Sequence, residues 1–195
     1  TPPTILRPGP YRTLLGAQAV SSFGDWMATI ALMALVLDLT GSAAAVGGIL
    51  ALRMAPAVVA GPVAAEATRR WPRRRTMLAM DLVRVPLVLL VPLVASVWWV
   101  YALAFLTELA GLVFLPARDA LLPDLVDDEH LPAANGAVMF VSYANIPLGG
   151  AAFAVLASIF GSDGRTVYVV AFALDAATFL LSFVALRSLP RGDDR

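Results

Sequence analysis

The sequence predicts an all-α membrane protein of six transmembrane helices, and three observations carry that expectation. Of 195 residues, 59% are hydrophobic and only 14% charged, where a soluble domain carries about 25% charged residues. Mean hydropathy is +0.80. Apolar stretches of the length a helix needs to cross the hydrocarbon, about 20 residues, recur six times, and the arginines between them fall almost wholly on one side. Composition excludes a water-soluble globule, a disordered chain and a disulfide scaffold, since there is no Cys. It also excludes a nucleic-acid binder working by bulk positive charge, because 14 basic residues balance 14 acidic ones.

The first helix is expected over residues 14–39, after a tail over 1–13. The stretch is too long, and Asp25 too central, for a cleaved signal. The second is expected over 43–65 after Thr40-Gly41-Ser42, the third over 77–97 and the fourth over 98–115 with almost no connection between them. The fifth follows over 133–160, the sixth over 167–189, and 190–195 form a second tail or the start of a linker. The bundle thus takes up 14–189.

Every basic residue is Arg, and five of the 14 lie within residues 69–75. Arg7, Arg12, that cluster, Arg118, Arg187, Arg191 and Arg195 share one side, eleven against the single Arg165. The positive-inside rule makes that side, with both termini, cytoplasmic. Trp98, Trp99, Tyr101 and Tyr168 fall where helices 4 and 6 begin at the outer interface, suited to amphipathic rings at headgroup level. Pro56 and Pro147 interrupt the second helix of each triplet at a similar place, the pattern of a 3+3 inverted repeat.

Ionisable residues at membrane depth are costly and so are the candidates for chemistry. Asp25, Arg53, Glu108 and Asp175 fall near the middle of their helices, with a formal sum of two negative charges. Gln18, Ser21, Ser22, Asp25 and Thr29 return to one face of helix 1, and Tyr101, Ala104, Glu108 and Gly111 to one face of helix 4. Arg53 can pair with Asp25 or with Glu108. Asp175, with Tyr168, Thr178 and Ser182, suits a hydrogen-bonded seam between helices. Asp81 and Arg84, one turn apart and nearer the cytoplasmic end, can pair or snorkel. The candidates for substrate or proton coupling are therefore Asp25, Glu108, Arg53, Gln18 and Tyr101. A mid-membrane carboxylate such as Glu108 can exchange a proton for a cationic substrate. Asp124, Asp127, Asp128, Glu129 and His130 read as a hydrated loop rather than metal ligands. Without Lys, no phosphate-binding loop of the nucleotide-hydrolysing kind exists, so neither enzyme activity nor a cofactor is expected.

Gly61-Pro62-Val63-Ala64, Arg70-Trp71-Pro72-Arg73-Arg74-Arg75 and Asp81-Leu82-Val83-Arg84 resemble the helix 2 to helix 3 segment of the major facilitator superfamily. Phe114-Leu115-Pro116-Ala117-Arg118-Asp119-Ala120-Leu121-Leu122-Pro123-Asp124 is similar to the helix 4 to helix 5 loop of its bacterial drug and siderophore exporter branch, enterobactin-exporter-like. Phe23-Gly24-Asp25-Trp26 and Asp175-Ala176-Ala177-Thr178-Phe179-Leu180 fit the same branch. Arg69 stands where that family's loop has an Asp, with Glu66 one turn earlier.

The resemblance implies half of a twelve-helix major facilitator fold, in which helices 1 and 4 line the substrate cavity and helix 6 is peripheral. It implies a gating or cytoplasmic-motif role for Arg70, Arg73, Arg74, Asp81, Arg84 and Arg118. It implies proton-coupled efflux of an amphipathic small molecule by alternating access in a bacterial plasma (inner) membrane. The partners would be the lipid bilayer, a small-molecule substrate, and a C-terminal six-helix half or a second copy. A non-transporting six-helix membrane subunit and a lipid or lysolipid transporter of the same fold are the alternatives.

Overall fold

The computed structural model describes residues 9–59, 61, 66, 70–161 and 164–189. Six helices account for most of them: α1 (Pro10–Thr40), α2 (Ala43–Val59), α3 (Arg73–Leu90), α4 (Val97–Leu121), α5 (Leu131–Phe160) and α6 (Arg165–Leu186). Five are long and apolar enough to cross a membrane; α2 is apolar but shorter over its described length. Helix 2 was expected to reach residue 65, and its end, like residues 1–8, residues 190–195 and the Gly61-Pro62-Val63-Ala64 motif beyond Gly61, lies outside the described residues, while the tail expected over 1–13 gives way to helix at Pro10.

Local chemistry sets the ends. Pro10 opens α1 at a position where a missing N–H costs nothing. Gly41 closes it in the left-handed region at φ 62°, its N–H bonded to Leu37 O at 2.7 Å. Helix 3 was expected to reach residue 97. It stops at Leu90 and tightens into a 3-10 turn over Val91–Leu93, where Pro92 has no N–H to donate to the α-helical ladder. Helix 4 in turn runs past the expected residue 115 to Leu121, carrying Arg118 in its last turn, where a cation meets the negative end of the helix dipole.

The helices form a closed ring in the order α1, α6, α3, α4, α2 and back to α1, while α5 packs outside it, mainly along α1. Two apolar clusters fill the bundle. One joins Met27 to Val36 of α1 with Val88, Val100, Leu103, Phe172 and Phe179. The other joins Tyr11, Leu14 and Ala17 with Met77, Phe114, Leu121, Val138 and Leu186. Asp25, Asp81, Arg84 and Glu108 fall along their helices between residues of the two clusters, a charged layer with apolar side chains on either side.

Two glycines let α1 approach its neighbours. A Cβ on Gly149 of α5 would lie 2.6 Å from Met27 N, and one on Gly24 would lie 2.6 Å from Asp175 Oδ1. Trp98 and Trp99 are exposed, as interfacial rings should be. Tyr168 corrects that expectation: it is buried, stacks on Phe153 with centroids 6.2 Å apart, and donates its hydroxyl to Asp38 near the end of α1. Its position on the face of α6 packed against α1, not its depth, decides its environment.

Candidate functional site

The polar stripe of helix 1 divides between two neighbours. Toward α5, Asn145 Nδ2 donates to Ala19 O and Ser22 Oγ, each at 2.8 Å, and Trp26 Nε1 donates to Ser142 O at 2.8 Å. Gln18 gives Nε2 to Ser142 Oγ at 3.1 Å and accepts from Arg118 Nη1 at 3.0 Å. Gln18 therefore ties α1 to α4 and α5, away from the ring's interior. Arg118 is buried and also holds Asp119 at 2.7 Å. Asn145 is the residue the sequence reading left without a role. Its short side chain on a buried face, one turn after Val141, is the signal that marks it.

Toward the ring's interior, Asp25 and Thr29 of α1, Arg53 of α2, Thr107 and Glu108 of α4 and Asp175 of α6 share a cavity of about 30 Å³, room for about one or two waters. The remaining wall is aliphatic apart from Phe172, and α5 supplies none of it. Arg53 resolves the choice left open by sequence: its Nε and Nη2 both reach Glu108 Oε1 at 2.5 Å. Of the two alternatives Glu108 is the partner; Arg53 Nη1 also donates to Thr29 Oγ1, whose hydroxyl donates to the main-chain carbonyl of Asp25 at 2.6 Å. A guanidinium bonded to a carboxylate shares its charge with little left over, so Asp25 lies in its field without a direct bond.

Asp175 lies in the seam between α6 and α1. Helix 6 is a member of the ring and packs closely on α1 and α3. The Asp175 carboxyl is buried against Gly24, its Oδ1 has no hydrogen-bond partner, and the residue lines the cavity with Asp25. Neither Gly24 as the socket for this carboxyl nor Thr107 was read from the sequence. Glycine next to Asp25 was the available sign.

Asp81 and Arg84 do not snorkel. Both are buried, 4.0 Å apart, with Asp81 completely enclosed. The Arg84 guanidinium stacks between Phe114 and Phe179, 5.0 and 5.1 Å from the ring centroids, an arrangement that stabilises a cation away from water. Gly111 leaves space for it: a Cβ there would be 3.1 Å from Arg84 Nη2. Tyr101 stands outside the cavity too, donating its hydroxyl to Ala45 O of α2 at 2.6 Å.

The arginine cluster organises the end of the bundle where α1 begins. Arg73 pairs with Asp124 at 2.8 Å, and Arg70 with Glu66 one turn before it. Arg74 donates to Leu186 O at 3.1 Å, which also accepts from Leu189 N at 3.2 Å, and to Arg187 O, so it ties α3 to the C-terminal end of α6. Arg69 lies outside the described residues. No group of three or more His, Cys, Asp or Glu placed to hold a metal is found among the described residues.

The chain is similar to the uncharacterized MFS-type transporter YfiS of Bacillus subtilis (strain 168), at 28% identity over 180 residues, 92% of this chain and 42% of that protein. It spans about two fifths of the length of that curated relative. No solved structure matches it significantly. The description of the Major Facilitator Superfamily fits residues 14–195, a span that takes in every helix of the ring and its charged layer. A membrane bundle of this composition, with ionisable side chains gathered between its helices and that match along nearly its whole length, belongs to the Major Facilitator Superfamily.

Proposed function

We propose that this chain is one bundle of a secondary active transporter that exports an amphipathic small molecule, a drug or siderophore, in exchange for protons. It would lie in the plasma (inner) membrane of a bacterium with both termini cytoplasmic. Its helices would follow a 3+3 inverted repeat, and it would rock against a C-terminal six-helix half or a second copy to give alternating access. The proton gradient supplies the energy, and no cofactor enters.

The observation that carries this reading is the mid-depth cavity with Asp25, Glu108 and Asp175 around a single lining guanidinium, Arg53. Charges enclosed at the centre of a membrane bundle cost several kcal/mol and mark pathways and relays. The cavity is far below the ~300 Å³ or more that a small-molecule site needs, so the substrate site is completed against the partner bundle, with these charges at its floor.

The test is efflux of an amphipathic cationic dye from liposomes holding this bundle assembled with its C-terminal partner half or with a second copy. Efflux should accelerate under an imposed pH gradient and collapse with a protonophore. Efflux indifferent to the gradient would overturn proton coupling, and folded protein that moves no dye would favour a non-transporting subunit.

A further inference from the structure

Four carboxylates lie in the charged layer or beside it, Asp25, Asp81, Glu108 and Asp175, with two guanidiniums, Arg53 and Arg84. Arg53 is committed to Glu108 at 2.5 Å, and Arg84, the cation nearest Asp81, is held between two phenyl rings. Neither carboxyl oxygen of Asp81 has a hydrogen-bond partner, but Asp81 does not line the cavity; Asp25 and Asp175 do, from adjacent helices, α1 and α6. Helix 5 brings no ionisable group to them; its buried polar residue, Asn145, is bonded to α1.

The contacts of Asp175 are those of a group awaiting a hydrogen. Its Oδ1 is buried without a partner. The absence of a side chain at Gly24 lets this carboxyl settle against α1 beside Asp25, since a Cβ there would stand 2.6 Å from Oδ1. Two carboxylates facing one space that admits about one or two waters repel each other too strongly for both to be charged, so such pairs hold one proton between them. We infer that Asp25 and Asp175 form a carboxyl pair that shares one exchangeable proton across this cavity, with Gly24 as the residue that brings them together. Asp81 is enclosed away from the cavity and Glu108 is neutralised by Arg53, so neither is the exchange point.

The pair is a monoanion when it holds its proton, standing in the field of Arg53 and Arg84. Asp175→Asn or Asp25→Asn leaves the same single negative charge but removes the proton, and each variant is expected to fold. The inference names the proton-carrying groups of the function proposed above and rests on that reading for its purpose, but its test needs no transport.

The experiment is infrared spectroscopy of the purified protein in lipid nanodiscs at neutral pH, following the protonated-carboxyl carbonyl band and its shift in heavy water. In an Asp81→Asn background, which removes the other buried carboxyl without a hydrogen-bond partner, the expected result is a band that exchanges with solvent, disappears on adding Asp175→Asn or Asp25→Asn, and persists on adding Glu108→Gln. Absence of the band, or its persistence in both Asp175→Asn and Asp25→Asn, overturns the inference. Should either Asn variant fail to accumulate, Asp175→Glu keeps a carboxyl and should shift the band, and an unmoved band overturns it equally. A band with these properties in a protein that moves no dye would leave the pair standing and remove the transport reading alone.

Discussion

Replacing Gly149 by Ala adds one methyl group to α5 and should measurably weaken the bundle. The added Cβ would lie 2.6 Å from Met27 N and 2.8 Å from both the carbonyl carbon and the Cβ of Trp26, against 3.4–4 Å for ordinary contact. Two of these three atoms are helix backbone, so no side chain can swing aside. To relieve a shortfall of about 0.8 Å, α5 must move off α1, lengthening the bonds that Asn145 and Ser142 make to it. Overpacking of this kind costs about 1–3 kcal/mol, while Ala in place of Gly inside a helix returns roughly 1 kcal/mol. The expected net loss is about 1 kcal/mol.

The neighbouring Gly150 has nothing within 4 Å of its own added Cβ, so Gly150→Ala should keep the helical gain without the penalty. Unfolding by SDS titration from mixed micelles, read by tryptophan fluorescence, should therefore separate the two variants by about 1–3 kcal/mol with opposite signs relative to the parent. Equal stability of Gly149→Ala and Gly150→Ala would refute the close approach of α1 and α5.

Arg53→Met should cost about 2 kcal/mol, less than the ~3–5 kcal/mol of stranding a fully buried charge, because both side chains of the pair keep about a quarter of their exposure. Arg53→Met with Glu108→Met should recover part of that loss, and strictly additive unfolding energies would deny the coupling. Tyr168→Phe keeps the stack on Phe153 but loses the bond to Asp38. It should cost about 0.5–1.5 kcal/mol in the same titration, and a neutral result would mean the hydroxyl contributes nothing. In this Cys-free background, Ser42→Cys should react with an impermeant thiol reagent added outside intact cells and Glu129→Cys should not; the reverse labelling would invert the proposed orientation.

The layout of the helices could be read from the sequence because a membrane span is a one-dimensional property: about 20 apolar residues suffice to announce it. Boundaries near a proline were harder, as helix 3 shows, since Pro86 is tolerated within the helix while Pro92 lies in the 3-10 turn that follows it. The charges were found by their depth, which follows from counting residues along each helix. Their partners were not, because pairing depends on which faces meet. Arg53 had Asp25 and Glu108 within plausible reach, and only the contact of α2 with α4 selects Glu108. Asp175 was placed in a seam, but an expectation that helix 6 is peripheral hid a carboxyl that a neighbouring glycine admits to the interior.

Because α5 stands outside the ring and gives nothing to the cavity wall, the bundle separates two kinds of heritable change. Substitutions on the outward side of α5, where Met139, Phe140, Tyr143 and Leu148 are exposed, can alter what the bundle meets without disturbing its enclosed charges. Its inward side, fixed by Asn145 and Gly149, has no such latitude. One helix thus carries a surface open to substitution and a seam closed to it, and adaptation to a new neighbour need not be relearned by the charged layer.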